Sequence, residues 1–180
     1  MNLLLKTAAL ALLTSTFIQY GTPLMAQTDN EAPSNITETY SDWTLRCVTA
    51  PVAEGQEAVR SCEIMQEQRR REGNQLVLAI SLQTKDDGAG AGLTMVLPFG
   101  LDLAAGVSIA AAEEDLIVAR ISTCLPRGCI VATDLPQETV DTLAETETVT
   151  LTMTSIEGQK IQTAISLKGF APAWNRVNTM

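Results

Sequence analysis

The side chains with the most distinctive covalent chemistry are four cysteines, Cys47, Cys62, Cys124 and Cys129. In the segment Cys124-Leu125-Pro126-Arg127-Gly128-Cys129 a cation lies between two thiols. Arg127 would lower the pKa of a neighbouring thiol, and a short disulfide is open to reduction, so thiol-disulfide exchange is one reading. Redox enzymes of the thioredoxin type place two residues between their cysteines at a helix start. Here there are four, outside any βαβ pattern, which favours a structural staple. A Cys₄ zinc site is set aside because an exported chain oxidises its thiols. No metal or other cofactor is expected.

The sequence contains no histidine. That removes Ser-His-Asp and Cys-His catalysis, histidine-ligated zinc or iron, and imidazole pH sensing. Glu113, Glu114 and Asp115 are the nearest cluster for carboxylate hydrolysis. Consecutive acids on a strand face opposite sides, so a solvated turn explains them better, and no catalytic residue is assigned.

Four cysteines allow three pairings. Cys47 with Cys62 and Cys124 with Cys129 are preferred, because turn-forming residues separate each pair: Gly55 in the first, Pro126 and Gly128 in the second. Loop entropy assigns roughly 3 kcal/mol to the first bridge and roughly 2 kcal/mol to the second, less any strain.

These pairs need strands to hold them. Trp43, Leu45 and Cys47 alternate with Thr44, Arg46 and Val48, and Val59 to Gln68 places Cys62, Ile64 and Gln66 on one face. Two antiparallel strands stapled together are expected there. Arg69, Arg70 and Arg71 read as a solvated strand end. Gln75 to Gln83 puts Leu76, Leu78, Ile80 and Leu82 on one face, while Val77 and Ala79 make the other face partly apolar. This should be a central strand. Lys85 to Gly92 reads as a hairpin loop, and its glycines lack the strand-to-helix setting of a phosphate cradle.

Leu93 to Leu97 is a further strand, followed by an extended course over Leu101 to Ile109. Leu116 to Ser122 alternates toward Cys124. Asp134 is the expected N-cap of one short helix carrying Val140 and Leu143, which would cover an open edge or end of the sheet. Thr- and Ile-rich runs flanking Glu157-Gly158-Gln159 form the strongest hairpin signal. The expected fold is all-β: a single antiparallel β-sandwich-like domain of eight to ten strands, with one short helix and two disulfides. A transmembrane barrel is excluded because aromatic residues are only 4%, too few for two girdles.

Met1 to Lys6, the apolar run Thr7 to Ile18, and Ala26 read as a signal peptide cleaved after Ala26, leaving no transmembrane span. The expected boundaries are a leader over 1–26, a mobile arm over 27–39, the β domain over 40–174, and a tail over 175–180. Twelve basic residues against 21 acidic ones give a net charge of −9, which repels nucleic acid and anionic lipid on average.

The stretch Asp42-Trp43-Thr44-Leu45-Arg46-Cys47, then Leu97-Pro98-Phe99-Gly100-Leu101 with Gly106-Val107, then Cys124 to Cys129 and Gly169-Phe170, resembles the invasion-associated locus B family, in the family's order. The resemblance runs from about Tyr40 to Ala173. It implies an exported or outer-membrane-associated bacterial protein, linked in some pathogens to host-cell entry, with no established catalytic activity. The close Ala173-Trp174-Asn175-Arg176 departs from the family's Ala-rich helical ending.

The expected function is therefore a non-enzymatic interaction module, periplasmic or secreted, for an unidentified protein or cell-envelope partner. Trp43, Trp174 and Arg127 are its candidate contact residues, although a buried place in the core is the commoner fate of a tryptophan. The alternative is a periplasmic redox protein using the Cys124/Cys129 pair.

Overall fold

The computed structural model describes residues 35–50, 58–85, 88–112 and 114–180. The expected leader, residues 27–34 of the expected arm, Gly55 and Glu113 lie outside the described residues.

The described chain runs β1 (Asn35–Tyr40), β2 (Trp43–Thr49), β3 (Arg60–Arg69), β4 (Leu76–Thr84), β5 (Ala91–Leu97), β6 (Val107–Ala111), β7 (Glu114–Ala119), β8 (Ile121–Leu125), β9 (Gly128–Leu135), α1 (Gln137–Glu145), β10 (Thr148–Thr154), β11 (Lys160–Ser166) and α2 (Phe170–Val177). Seven strands form one antiparallel sheet in the order β1-β2-β3-β4-β5-β9-β8. Four form a second, β11-β10-β6-β7. The protein is a mainly β single domain.

Period-two patterning decides which sides face each other. Trp43, Leu45 and Cys47 on β2, Ile64 on β3, Leu78, Ile80 and Leu82 on β4, and Leu93, Met95 and Leu97 on β5 are buried. They share one core with Val107 and Ile109 of β6, Val149, Leu151 and Met153 of β10, and Ile165 of β11.

The sheets meet at two corners in different ways. At one, β7 passes into β8 through Arg120 alone, so the chain crosses between sheets without a loop. At the other, side chains of the larger sheet reach the free edge of β11. The Gln66 amide donates to the Ser166 carbonyl at 2.9 Å, the Gln68 amide to the Ala164 carbonyl at 2.7 Å, and the Trp43 indole N–H to the Ser166 carbonyl at 3.0 Å. Carbonyls that an edge strand leaves open are thus satisfied without a further strand.

Four sequence expectations need correction. The arm expected over 27–39 is a paired strand from Asn35 onward, with Ile36 opposite Cys47 and Tyr40 opposite Trp43. Its polar residues suit an edge strand with one face in solvent. There are two helices among the described residues, not one. Phe170, Ala173, Trp174 and Val177 fall at i, i+3, i+4 and i+7 and are all buried, so residues 175–177 complete α2 where a tail was expected. Eleven strands replace eight to ten, partly because the course toward Cys124 is divided at Arg120. The first helix starts at Gln137 after Pro136, and Asp134 is not its cap. Asp134 belongs to β9, whose pairing with β5 continues to Leu135, and it forms an ion pair with Lys85 at 3.0 Å.

Helix α2 depends on Gly169. This residue has φ +91°, and a Cβ there would collide with the Tyr40 carbonyl. Close approach lets Phe170 meet Trp43 edge-to-face at 5.1 Å and stack with Trp174 at 6.4 Å. Replacing Gly169 by Ala combines left-handed strain with that clash. The variant should lose at least about 2 kcal/mol of unfolding free energy in urea titration.

Arg176 fastens α2 to β1. Its Nε and Nη2 donate to the two carboxylate oxygens of Glu38, each at 3.0 Å, and the Tyr40 hydroxyl donates to the same carboxylate at 2.6 Å. The Arg176 contact, then the Tyr40 hydrogen bond, hold the Glu38 carboxyl below its ordinary value of 4.5. The Glu38 carboxylate in turn raises Tyr40 and Arg176. A depressed folded-state pKa contributes stability above the ordinary value and loses it as pH falls through the lowered one. The stability gap between wild type and Glu38→Gln should be constant between about pH 5 and about pH 9 and close on acidification below 4.5, measured by thermal melts. A gap unchanged at pH 2.5 would contradict the ion pair.

Candidate functional site

Alternation that sends Leu and Ile to the core sends the intervening residues of the seven-stranded sheet to its outer face. On most strands these are polar, but across the middle apolar residues stand among them, beside Glu67, Ser81 and Thr94. Register aligns Glu67 with Ala79, Ala79 with Val96, and Val96 with Ile130. The neighbouring row aligns Met65 with Ser81 and Ser81 with Thr94. Met65, Ala79, Val96 and Ile130 therefore form an apolar floor on the solvent side of a sheet already apolar on its inner side.

The Cys124–Cys129 hairpin supplies a wall. Cys124 pairs with Cys129 and Leu125 with Gly128, so Pro126 and Arg127 alone form the turn. Gly128 has φ +143°, and a Cβ there would strike the Leu97 carbonyl and lie 2.8 Å from Cγ1 of Val96. Only glycine lets the hairpin lie this close to β5. Leu125, Pro126 and Arg127 then enclose, with the floor, a groove of about 680 Å³, with Arg46, Glu63 and Glu67 also lining it. That volume is in the range of small-molecule sites. A smaller cleft of about 200 Å³ lies against Pro126 and Arg127 and includes Val77, Pro98 and Phe99. Phe99 is 62% exposed and Leu125 52% exposed.

Cys47 is joined to Cys62, and Cys124 to Cys129, between residues directly opposite on adjacent strands. Cys129 is buried, whereas Cys124 is exposed on edge strand β8.

Two candidate contact residues are core residues. Trp43 is fully buried and Trp174 is 4% exposed, both committed to the aromatic stack with Phe170. They provide no surface patch; their area is worth more under α2 than in water. Arg127 is exposed on the hairpin tip and makes no ion pair or hydrogen bond among the described residues. Of the residues named as a possible catalytic cluster, Glu114 and Asp115 lie exposed on β7. Arg69 ends β3 and pairs with Glu67 at 2.8 Å.

Sequence reasoning missed the groove floor. One signal pointed to it: Val77 and Ala79 make β4 apolar on its second face. Met65, Val96 and Ile130 extend that feature only once strand order is known.

This is a disulfide-stapled two-sheet β domain that carries an apolar groove beneath a bridged hairpin. A family model described as "Invasion associated locus B (IalB) protein" matches residues 43–178, and the chain belongs to that family. An invasion protein B homolog of Brucella abortus (strain 2308) is 32% identical over 148 residues, covering 82% of each chain. Invasion protein B of Bartonella bacilliformis is 24% identical, covering 100% of this chain and 97% of its own. The crystal structure of invasion associated protein b from Bartonella henselae has a TM-score of 0.67 at 26% identity, covering 80% of this chain and 95% of that one.

Removing the hairpin bridge should test its contribution. A Cys124→Ser/Cys129→Ser double variant should lose about 2 kcal/mol on the loop-entropy account. Hydrogen exchange should quicken at Ile130 and Val131 more than in β10.

Proposed function

We propose that the protein is exported and works without catalysis, as an interaction module that contacts an envelope or host-cell partner through the groove and its hairpin wall. One observation carries this reading: the outer face of the large sheet leaves an apolar floor open to solvent, with the Arg127 guanidinium, unpaired among the described residues, at its rim. Contact surfaces combine such apolar centres with arginine. Export is supported by the leader expected over 1–26 and by four cysteines all held in bridges, a state that oxidising compartments preserve. No helix among the described residues is long and apolar enough to cross a membrane. The relatives' names as invasion proteins fit a contact role.

The test is co-sedimentation with envelope fractions of the native bacterium, comparing wild type with Leu125→Asp and Arg127→Ala. Retention should fall at least tenfold in Leu125→Asp and several-fold in Arg127→Ala, with melting temperatures unchanged because both sites are exposed. Equal retention of all three proteins would overturn the groove as the contact surface.

Exposure of Cys124 favours a second reading, in which an external thiolate attacks its Sγ and Cys129 leaves as thiolate. Burial of Cys129 disfavours that leaving charge. A reduction potential below about −300 mV would mark the bridge as structural, and a value near the periplasmic oxidants would support exchange.

A further inference from the structure

We infer that the groove on the outer face of the seven-stranded sheet binds a single long acyl chain with an anionic head, the carboxylate of a long-chain fatty acid. This rests on reading the groove as the contact surface and names the chemistry of what fills it.

The floor explains why the occupant is hydrocarbon. It crosses β3, β4, β5 and β9, whose backbone groups are already spent on one another in the ladders. A peptide laid across it would have its own N–H and C=O groups covered without partners, a cost of several kcal/mol for each group fully desolvated. An acyl chain has no such groups. Met65, Ala79, Val96, Ile130, Leu125 and Pro126 offer it carbon on the floor and wall. Its length also suits. From Leu125 on β8 to Met65 on β3, four interstrand steps of about 4.8 Å make about 19 Å, and a zigzag of C–C bonds advances about 1.3 Å per carbon, so about fifteen carbons span it.

Charge sets the polarity. Two arginines line the groove, but they differ. Arg46 has Glu63 directly opposite on β3, which offsets its field. Arg127 stands on the hairpin turn with no acidic residue opposite it in register, and neither arginine forms an ion pair among the described residues. Glu63 and Glu67 line the β3 side and repel an anion there. The carboxylate therefore sits at Arg127 and the tail runs toward Met65. On a chain with net charge −9, an anion would otherwise find little attraction.

The test is binding of hexadecanoate to the disulfide-intact protein by titration calorimetry below the critical micelle concentration, alongside hexadecanol and butyrate. Hexadecanoate should bind at one per chain, hexadecanol at least fivefold more weakly, and butyrate undetectably. Val96→Glu should abolish binding and Arg127→Gln should weaken hexadecanoate at least fivefold without changing hexadecanol. Val118→Glu, on an exposed site of the other sheet, should bind as wild type. Absence of hexadecanoate binding, or binding indifferent to Val96→Glu, would overturn the inference. If circular dichroism shows Val96→Glu misfolded, Ile130→Glu decides the same point. Hexadecanol binding as tightly as hexadecanoate would overturn the assignment of Arg127. Loss of hexadecanoate binding leaves the proposed contact surface standing wherever envelope retention still depends on Leu125.

Discussion

The fold rests on how an open sheet edge is closed. Two antiparallel sheets packed face to face have four edges, and each edge strand presents carbonyls and amides that must find partners. Here the corner between β3 and β11 is sealed by side chains: the Trp43 indole and the amides of Gln66 and Gln68 take the carbonyls of Ser166 and Ala164. Trp43 contributes twice, since the ring that donates this hydrogen bond is also the buried surface against which Phe170 is set. Without that ring the edge of the last strand would keep only the two glutamine amides and α2 would lose its platform.

From this corner the rest follows in order. Phe170 reaches Trp43 only because Gly169 brings the backbone against Tyr40, and Trp174 packs only because Phe170 is there. With one side of the large sheet filled in this way, its other side remains unburdened by helices, since α2 sits with β1, β2 and β3 and α1 sits against α2. An uncovered outer face with carbon in its middle rows is the origin of the groove. The hairpin adds height to it because a bridged two-residue turn is short and stiff.

Much of this was legible in the residues. Alternation in Trp43 to Cys47 and Leu76 to Leu82 marked strands and their buried sides, and Glu157-Gly158-Gln159 marked a hairpin, because those patterns are local. Strand β1 was hidden by its polarity: Asn35, Thr37 and Thr39 look like a linker until an edge position gives them a solvent face. Helix α2 was hidden by brevity and by Pro172, although its apolar stripe at helical spacing was present. The groove was the least legible feature. It is assembled from single residues on β3, β4, β5 and β9, each unremarkable in its own segment, and only the non-sequential placement of β9 beside β5 brings Ile130 to Val96. Trp43 and Trp174 took the commoner of the two places open to a tryptophan, the core, because Phe170 packs on both.

The contacts that complete the domain also join its two extremes. Trp43 bonds a carbonyl 123 residues later, and Glu38 is held by an arginine 138 residues later. Ribosomes deliver the amino-terminal end first, so β1 and β2 are made well before the segment that seals them exists. Until then the nascent chain has a hole where α2 belongs, with Trp43 facing it. The corner under α2 can close only after that helix has been made.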